Sequence, residues 1–216
     1  MSAKWYSIIK LFEGNFRYKR LQKFCQIYPD LSKLSVLDVG GSPVIWDLLK
    51  QEFEVVPKQL VLLNQEEREL YGNYECRTGD ARQLPYADNS FDLVFSNSVI
   101  EHVGNAEDKR KFAKECERVG KEIYIQTPNR WFPIEPHIFA FFIHWLPKPI
   151  YKKLSFLSVL SISRTFNMTT ETKASEWIND IDLLSKKQLQ QIFPNQNFLE
   201  EKAFFLVKSF IVTSRI

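Results

Sequence analysis

The sequence predicts a doubly wound α/β fold, a mostly parallel sheet with helices on both faces. Three observations carry that prediction. Short apolar, β-branched runs alternate with runs of helical period between residues 34 and 126, and such alternation implies parallel strands joined by right-handed helical crossovers. One of these strands ends in Asp38-Val39-Gly40-Gly41-Ser42-Pro43 and turns at once into a helix. The chain has 216 residues, 44% hydrophobic and 25% charged, enough apolar material for a full core and too much for a disordered chain.

The elements follow in order. Residues 5–27 mix aromatics and bases at helical spacing, which predicts one or two amphipathic helices packed on the main body, ended by Pro29 and Asp30. Strands are expected at 34–39, 59–63, 74–77, 91–95 and 122–126, with helices at 44–53, 66–71 and 106–119. Gly120 stands where the last helix should stop, as a C-cap would. Beyond Pro128 the pattern changes. Residues 131–160 are aromatic and proline-rich and read as helical in pieces. Residues 183–193 read as a helix with Ser185 at its N-cap and Pro194 as its stop. The runs 203–207 and 209–213 read as two closing strands, either a hairpin or one long bent strand. The whole chain, 1–216, reads as a single domain, with 1–30 an appendage and 130–180 a helical cap or acceptor region within it.

Several function classes lose support at once. A formal charge of +3 is too small to imply nucleic acid, and the bases at 17–20 and 148–153 read as solvated surface. Cys25, Cys76 and Cys116 lack metal-ligand spacing, so no metal site is expected and a reduced, cytoplasmic protein is. Lys4, Lys10 and Glu13 interrupt the N-terminal apolar runs, unlike a signal peptide. The longest apolar run, 138–146, is too short to cross a bilayer. No GxxxxGK loop and no GxSxG elbow occurs.

The candidate site is built from strand ends. A turn at Gly40 and Gly41 lets a small polar ligand approach bare backbone, and the following helix directs its N–H groups to the same point. Asn64 ends the second strand about two dozen residues later, where nucleoside folds meet ribose hydroxyls. It is uncharged, so it holds a hydroxyl less strongly than a carboxylate does. Asp80 follows the third strand and offers an acceptor for an exocyclic adenine amine. Ser96 lies at the end of the fourth.

Here the residues reach a family. The stretches VLDVGGSP (36–43), GDARQLPYADNSFDLVFSNSVIEHV (79–103) and EIYIQTPN (122–129) resemble the class I S-adenosylmethionine-dependent methyltransferases, in their small-molecule, type 11 branch. The resemblance covers a little under half of the chain. It implies a Rossmann-like, seven-stranded sheet with a final antiparallel strand. It also implies S-adenosylmethionine at the carboxyl edge, leaving as S-adenosylhomocysteine. By that match Asp38, Gly40 and Gly41 shape the methionine side, Asn64 takes the ribose, Asp80 and Ala81 the adenine, and Ser96 lines the sulfonium side. Two departures stand out: Ser42 replaces a second spaced glycine, and Asn64 replaces an acid.

Methyl transfer to a hydroxyl gains from a general base near neutral pKa, which suits histidine. His102, beside Glu101, is one candidate; the plainer reading has the pair starting or capping a helix. His137, in a loop dense in Trp and Pro, is the other; a rigid structural loop is the alternative. His144 reads as a packed side chain. The aromatic segment 138–163 reads as a cap that closes the core, or as a lid for a lipid-like acceptor or a surface resting on a membrane. The expected function is methylation of a small-molecule, glycan or lipid-like acceptor. A non-catalytic nucleoside-binding or scaffold protein with a degraded site is the alternative. A nicotinamide enzyme is a weaker one, because the third glycine of GxGxxG is missing.

Overall fold

A computed structural model of the chain describes residues 3–66, 73–135, 140–147, 150 and 181–216. The expected short helix at 66–71, and most of the aromatic segment 138–163 with His137 before it, lie outside these residues. The strands are β1 (Ser35–Val39), β2 (Gln59–Asn64), β3 (Glu75–Thr78), β4 (Phe91–Asn97), β5 (Gly120–Pro128), β6 (Ile134–Glu135), β7 (Ala140–Phe141), β8 (Asn197–Ala203) and β9 (Leu206–Thr213). The helices are α1 (Ala3–Ile27), α2 (Pro43–Phe53), α3 (Ala106–Val119) and α4 (Lys186–Ile192). Seven strands form one sheet in the order β3-β2-β1-β4-β5-β9-β8, while β6 and β7 form a separate antiparallel ribbon.

β1 pairs in parallel with β2 on one side and β4 on the other, and β2 pairs in parallel with β3. The strand order therefore reverses between β1 and β4. That is the topological switch point, and ligands of open α/β sheets bind outside the carboxyl ends of the strands there. The apolar runs of β1, β2 and β4 are buried almost end to end, as strands covered on both faces must be.

The chain divides into two compact units. The first comprises Met1–Asn97, Phe112–Ile125 and Thr213–Ile216. Its core is aromatic. Phe24 of α1 packs against Phe95 of β4 and Tyr124 of β5 at 5.2 and 4.7 Å between ring centroids, and Phe95 and Tyr124 stack at 5.5 Å. So α1, which is one helix and not two, is bound to the sheet through its C-terminal half. The Tyr28 hydroxyl donates to the Ile123 carbonyl at 3.2 Å, and Arg215 lies 4.7 Å over the Tyr28 ring while pairing with Asp30 and Glu122. Burial pushes the Tyr28 phenol up to about 12.

Gly120 does not cap α3. It opens β5, and a Cβ there would lie 2.7 Å from Val94 Cγ2 and 2.7 Å from the Glu122 carbonyl oxygen. Glycine is needed for close backbone approach, not for a left-handed turn.

The second unit comprises Ser98–Lys111 and Gln126–Val212. α3 starts with Asn105, whose Oδ1 accepts from the backbone N–H of Glu107 and Asp108, while Asp108 Oδ2 accepts from the Asn105 N–H. This is a reciprocal capping box. α4 has another, between Ser185 and Gln188, but the helix starts at Lys186 and not at 183. Leu184 is instead bridged to Asn129 in a β-type contact, so the apolar pair before the cap belongs to a strand-like seam. The closing strands also differ from expectation. The break falls at Phe204 and Phe205, so β9 contains all of the second expected run but only Leu206 and Val207 of the first, and β8 begins at Asn197. A two-residue connection of this kind makes β8 and β9 a hairpin. The described part of 131–160 includes the β6–β7 ribbon, a 3-10 turn at Ile143–Trp145 and a helical residue, Ile150; the rest of the expected helical pieces lies outside the described residues.

A buried cation holds this unit together. Lys109 is 1% exposed, and its ammonium donates to Asp182 Oδ2 at 2.6 Å and to the Gly104 carbonyl at 3.1 Å. Removing one partner leaves a buried charge short of a counterion. Asp182 is part-exposed, so solvent softens the loss. Asp182→Ala is expected to cost about 2 kcal/mol of stability, read by urea unfolding; a midpoint equal to that of the wild type would show the pair to be idle.

No helix among the described residues is long and apolar enough to cross a membrane.

Candidate active site

The site at the switch point lies within the first unit and is made of carboxyl-end residues of four strands. Val39 closes β1, and Gly40 turns the chain with φ 76°, a conformation glycine adopts without steric cost. The Gly40 N–H donates to the Leu63 carbonyl at 2.7 Å, which ties the turn to β2. The Asn64 amide Nδ2 donates to the Gly41 carbonyl at 3.0 Å, and the Asn64 carbonyl accepts from the Gly79 N–H at 2.9 Å. The Ser96 hydroxyl donates to the Val39 carbonyl at 2.9 Å, closing the seam between β1 and β4. Gly40, Gly41, Asn64 and Gly79 thus form one hydrogen-bonded rim, with Ser96 tied to β1 behind it.

Asp38 and Gly41 are matched to each other. Asp38 is 1% exposed, and the Trp46 indole N–H donates to its Oδ2 at 2.7 Å. Burial pushes its carboxyl up to about 7, with the Trp46 bond opposing that rise. A Cβ on Gly41 would land on the Asp38 carboxylate. So bare backbone at 41 is required by what lies beneath it.

α2 begins at this turn. Ser42 is its N-cap in extended backbone with no side-chain cap bond, and Pro43 occupies the first turn. Proline suits that place because its φ is preset. It also has no N–H, so the donors facing the turn come from its neighbours.

Asn64 in place of an acid now has a cause. Its amide faces the Gly41 carbonyl. A carboxylate in that pose would set oxygen against oxygen, whereas the amide makes a bond. Asp80 is held by Arg82, whose Nε and Nη2 reach its two oxygens at 2.7–3.0 Å and whose backbone N–H adds a bond at 2.8 Å. Ala81 follows, half-buried. Ser96 is fully buried, so its hydroxyl is a girder behind the rim.

Sequence reasoning missed Arg20. Grouped with surface bases, it instead reaches from α1 to the end of β4, where Nη1 donates to Asn97 Oδ1 at 2.7 Å. Its helical spacing with Leu21 and Phe24, both buried, was the signal available.

The histidines belong to the second unit. His102 is half-buried in the 3-10 turn Ile100–His102, five residues past β4. Its neighbour Glu101 is fully buried and accepts from the Thr127 hydroxyl at 2.8 Å, while the Glu101 carbonyl accepts from the Asp182 N–H at 2.9 Å. His144 packs as expected, with Nε2 2.9 Å from the Arg130 carbonyl. Among the described residues no group of three His, Cys, Asp or Glu side chains is placed to hold a metal ion.

Residues 52–122 match the family described as Methyltransferase domain. The match runs from the end of α2 through β2, β3, β4 and α3 into β5, and leaves β1 and the Gly40–Gly41 turn outside it. That stretch is therefore similar to a methyltransferase domain, carried on the seven-stranded sheet described above. The chain is 32% identical over 111 residues to norajmaline N-methyltransferase of Rauvolfia serpentina, across 45% of the chain and 36% of that protein. It is 33% identical over 95 residues to the ubiquinone biosynthesis O-methyltransferase of Parvibaculum lavamentivorans, across 40% of the chain and 35% of that protein. The chain spans about a third of the length of the curated relatives it matches. Its fold is shared with an S-adenosylmethionine-dependent methyltransferase of known structure from Mesorhizobium loti, with a TM-score of 0.58 at 10% identity over 94% of this chain and 99% of the other.

Proposed function

We propose that the methyltransferase domain binds S-adenosylmethionine at the β1–β4 switch point and transfers its methyl group to a small-molecule, glycan or lipid-like acceptor. The observation that carries this reading is the hydrogen-bonded rim, in which Gly40 is exposed at the turn and Gly41 lies buried behind it, between the β2 and β4 ends. The residues fit the cofactor: Gly41 is held without a side chain by Asp38 beneath it, so the turn offers backbone alone to a ligand. When bound, the cofactor supplies an already activated methyl on a cationic sulfur.

The protein's part is placement. Gly40 and Gly41, backed by Asp38, shape the methionine end, and Arg20 brings a cation to that edge for its carboxylate. Asn64 faces the ribose while bracing the turn. Asp80, oriented by Arg82, accepts from the adenine amine beside Ala81. Ser96 holds the β1–β4 seam in register. Proximity in a dry pocket supplies most of the rate. Where the acceptor is a hydroxyl, His102 is the candidate that would take its proton. His137 is the second candidate for that base. The two named relatives methylate nitrogen and oxygen, so the acceptor atom is a matter for experiment. A cytoplasmic setting is supported by three free thiols, Cys25, Cys76 and Cys116.

Calorimetric titration with S-adenosylhomocysteine is the test. Binding of micromolar order is expected, a typical metabolite range, with no heat from NAD. Asp80→Ala should weaken it at least about tenfold, the loss of one charge-assisted bond. An unchanged affinity would remove Asp80 from the adenine. Binding without any product from an acceptor screen would favour the non-catalytic alternative.

A further inference from the structure

The second unit exposes two aromatic clusters fixed to one corner of its backbone. The first is the tip of the β8–β9 hairpin, where Phe204 and Phe205 are 84% and 97% exposed and Leu206 follows, half in solvent. Two-residue hairpin turns ordinarily use Gly, Asn or Asp, because left-handed φ is needed. Phe204 holds φ 55°, a strained choice for a bulky side chain.

The second cluster is Trp131, Phe141, Phe142 and Trp145. Trp131 is 60% and Phe141 68% exposed. Their rings touch in sequence: Trp131–Trp145 at 6.2 Å, Phe142–Trp145 at 4.9 Å and Phe141–Phe142 at 6.2 Å between centroids. Trp145 Nε1 donates to the Arg130 carbonyl at 2.9 Å. One residue earlier, the Asn129 N–H and Nδ2 donate to the Lys208 and Val207 carbonyls at 2.9 and 2.8 Å. Asn129 and Arg130 therefore anchor both clusters.

The charge around them has one sign. The hairpin reads Lys202-Ala203-Phe204-Phe205-Leu206-Val207-Lys208, basic on both flanks with no acid between. Glu200 and Glu201, just before it, are bound to Lys186 and the Ser209 hydroxyl. Arg130 lies 5.9 Å over the Trp131 ring.

We propose that this aromatic, basic-flanked face docks on an anionic lipid surface. Aromatic side chains settle at the level of the headgroups, and flanking bases meet the negative leaflet. A second copy of the chain fits less well. A two-fold contact would set the same bases against each other.

The proposal stands apart from the methyl-transfer reading, so its test uses the whole chain without cofactor. Vesicles of phosphatidylcholine, with and without about a third of phosphatidylglycerol, are floated with the protein. Binding to the anionic vesicles is expected, at least about tenfold weaker on phosphatidylcholine alone and at high salt. Phe204→Ser with Phe205→Ser should lower the partition at least about tenfold while the thermal melt is unchanged. Lys202→Glu with Lys208→Glu should do the same through charge. Equal partition of the Phe variant and the wild type would overturn the proposal. So would a dimer by light scattering that the Phe variant turns into monomer.

Discussion

Gly41→Ala is expected to abolish measurable binding of S-adenosylhomocysteine and to lower stability by about 1–3 kcal/mol, the range for overpacking a tight interior. The new Cβ would fall on the Asp38 carboxylate, which cannot retreat because the Trp46 indole and the buried end of β1 hold it. The turn itself must move, and with it the Gly41 carbonyl that Asn64 grips. Ser42→Ala is the control. Its side chain makes no cap bond, so both binding and midpoint should stay close to wild type. Calorimetry and urea unfolding on the two variants decide the matter; a Gly41→Ala protein that binds normally would place the ligand elsewhere.

Asp38→Asn is expected to change how stability depends on pH. The Asp38 carboxyl is pushed up to about 7 by burial, while in the unfolded chain it ionises near 4. Between those values the native state keeps a proton that the unfolded state has lost. The native state binds more protons there, so this group's contribution is full below about pH 4, falls as pH rises, and is gone above about pH 7. About three pKa units correspond to on the order of 4 kcal/mol. The amide that replaces the carboxyl still accepts from Trp46 but does not titrate. The variant should gain on the wild type by a few kcal/mol between about pH 4.5 and about pH 7.5. Parallel stability profiles would show that Asp38 is ionised throughout.

Much of the sheet and of its covering helices was legible in the chain. The bounds of α3 came directly from its period, and β1, β2 and β4 from apolar runs, because both patterns report local burial. Strand ends were set one or two residues short, since polar residues such as Asn64 and Asn97 read as loop although they continue the ladder. Gly120 misled because a glycine after a helix looks the same whether it turns the chain or lets Val94 approach. The closing hairpin misled because its turn is two phenylalanines, the reverse of turn chemistry. Glu101 and Lys109 gave no sign of being buried, since Thr127 and Asp182 are far away in sequence.

What the sequence by itself determined is the alternation of strand and helix and the glycine turn that follows β1, because periodicity and glycine's missing Cβ are properties of neighbouring residues. Only the tertiary structure decided that Asn64 braces Gly41, that Ser96 stands behind the rim, that Arg20 reaches β4, and that the aromatic residues of the second unit gather at one corner. Those are pairings between distant segments. Their hydrogen bonds and ring contacts exist only once packing has brought the partners within reach.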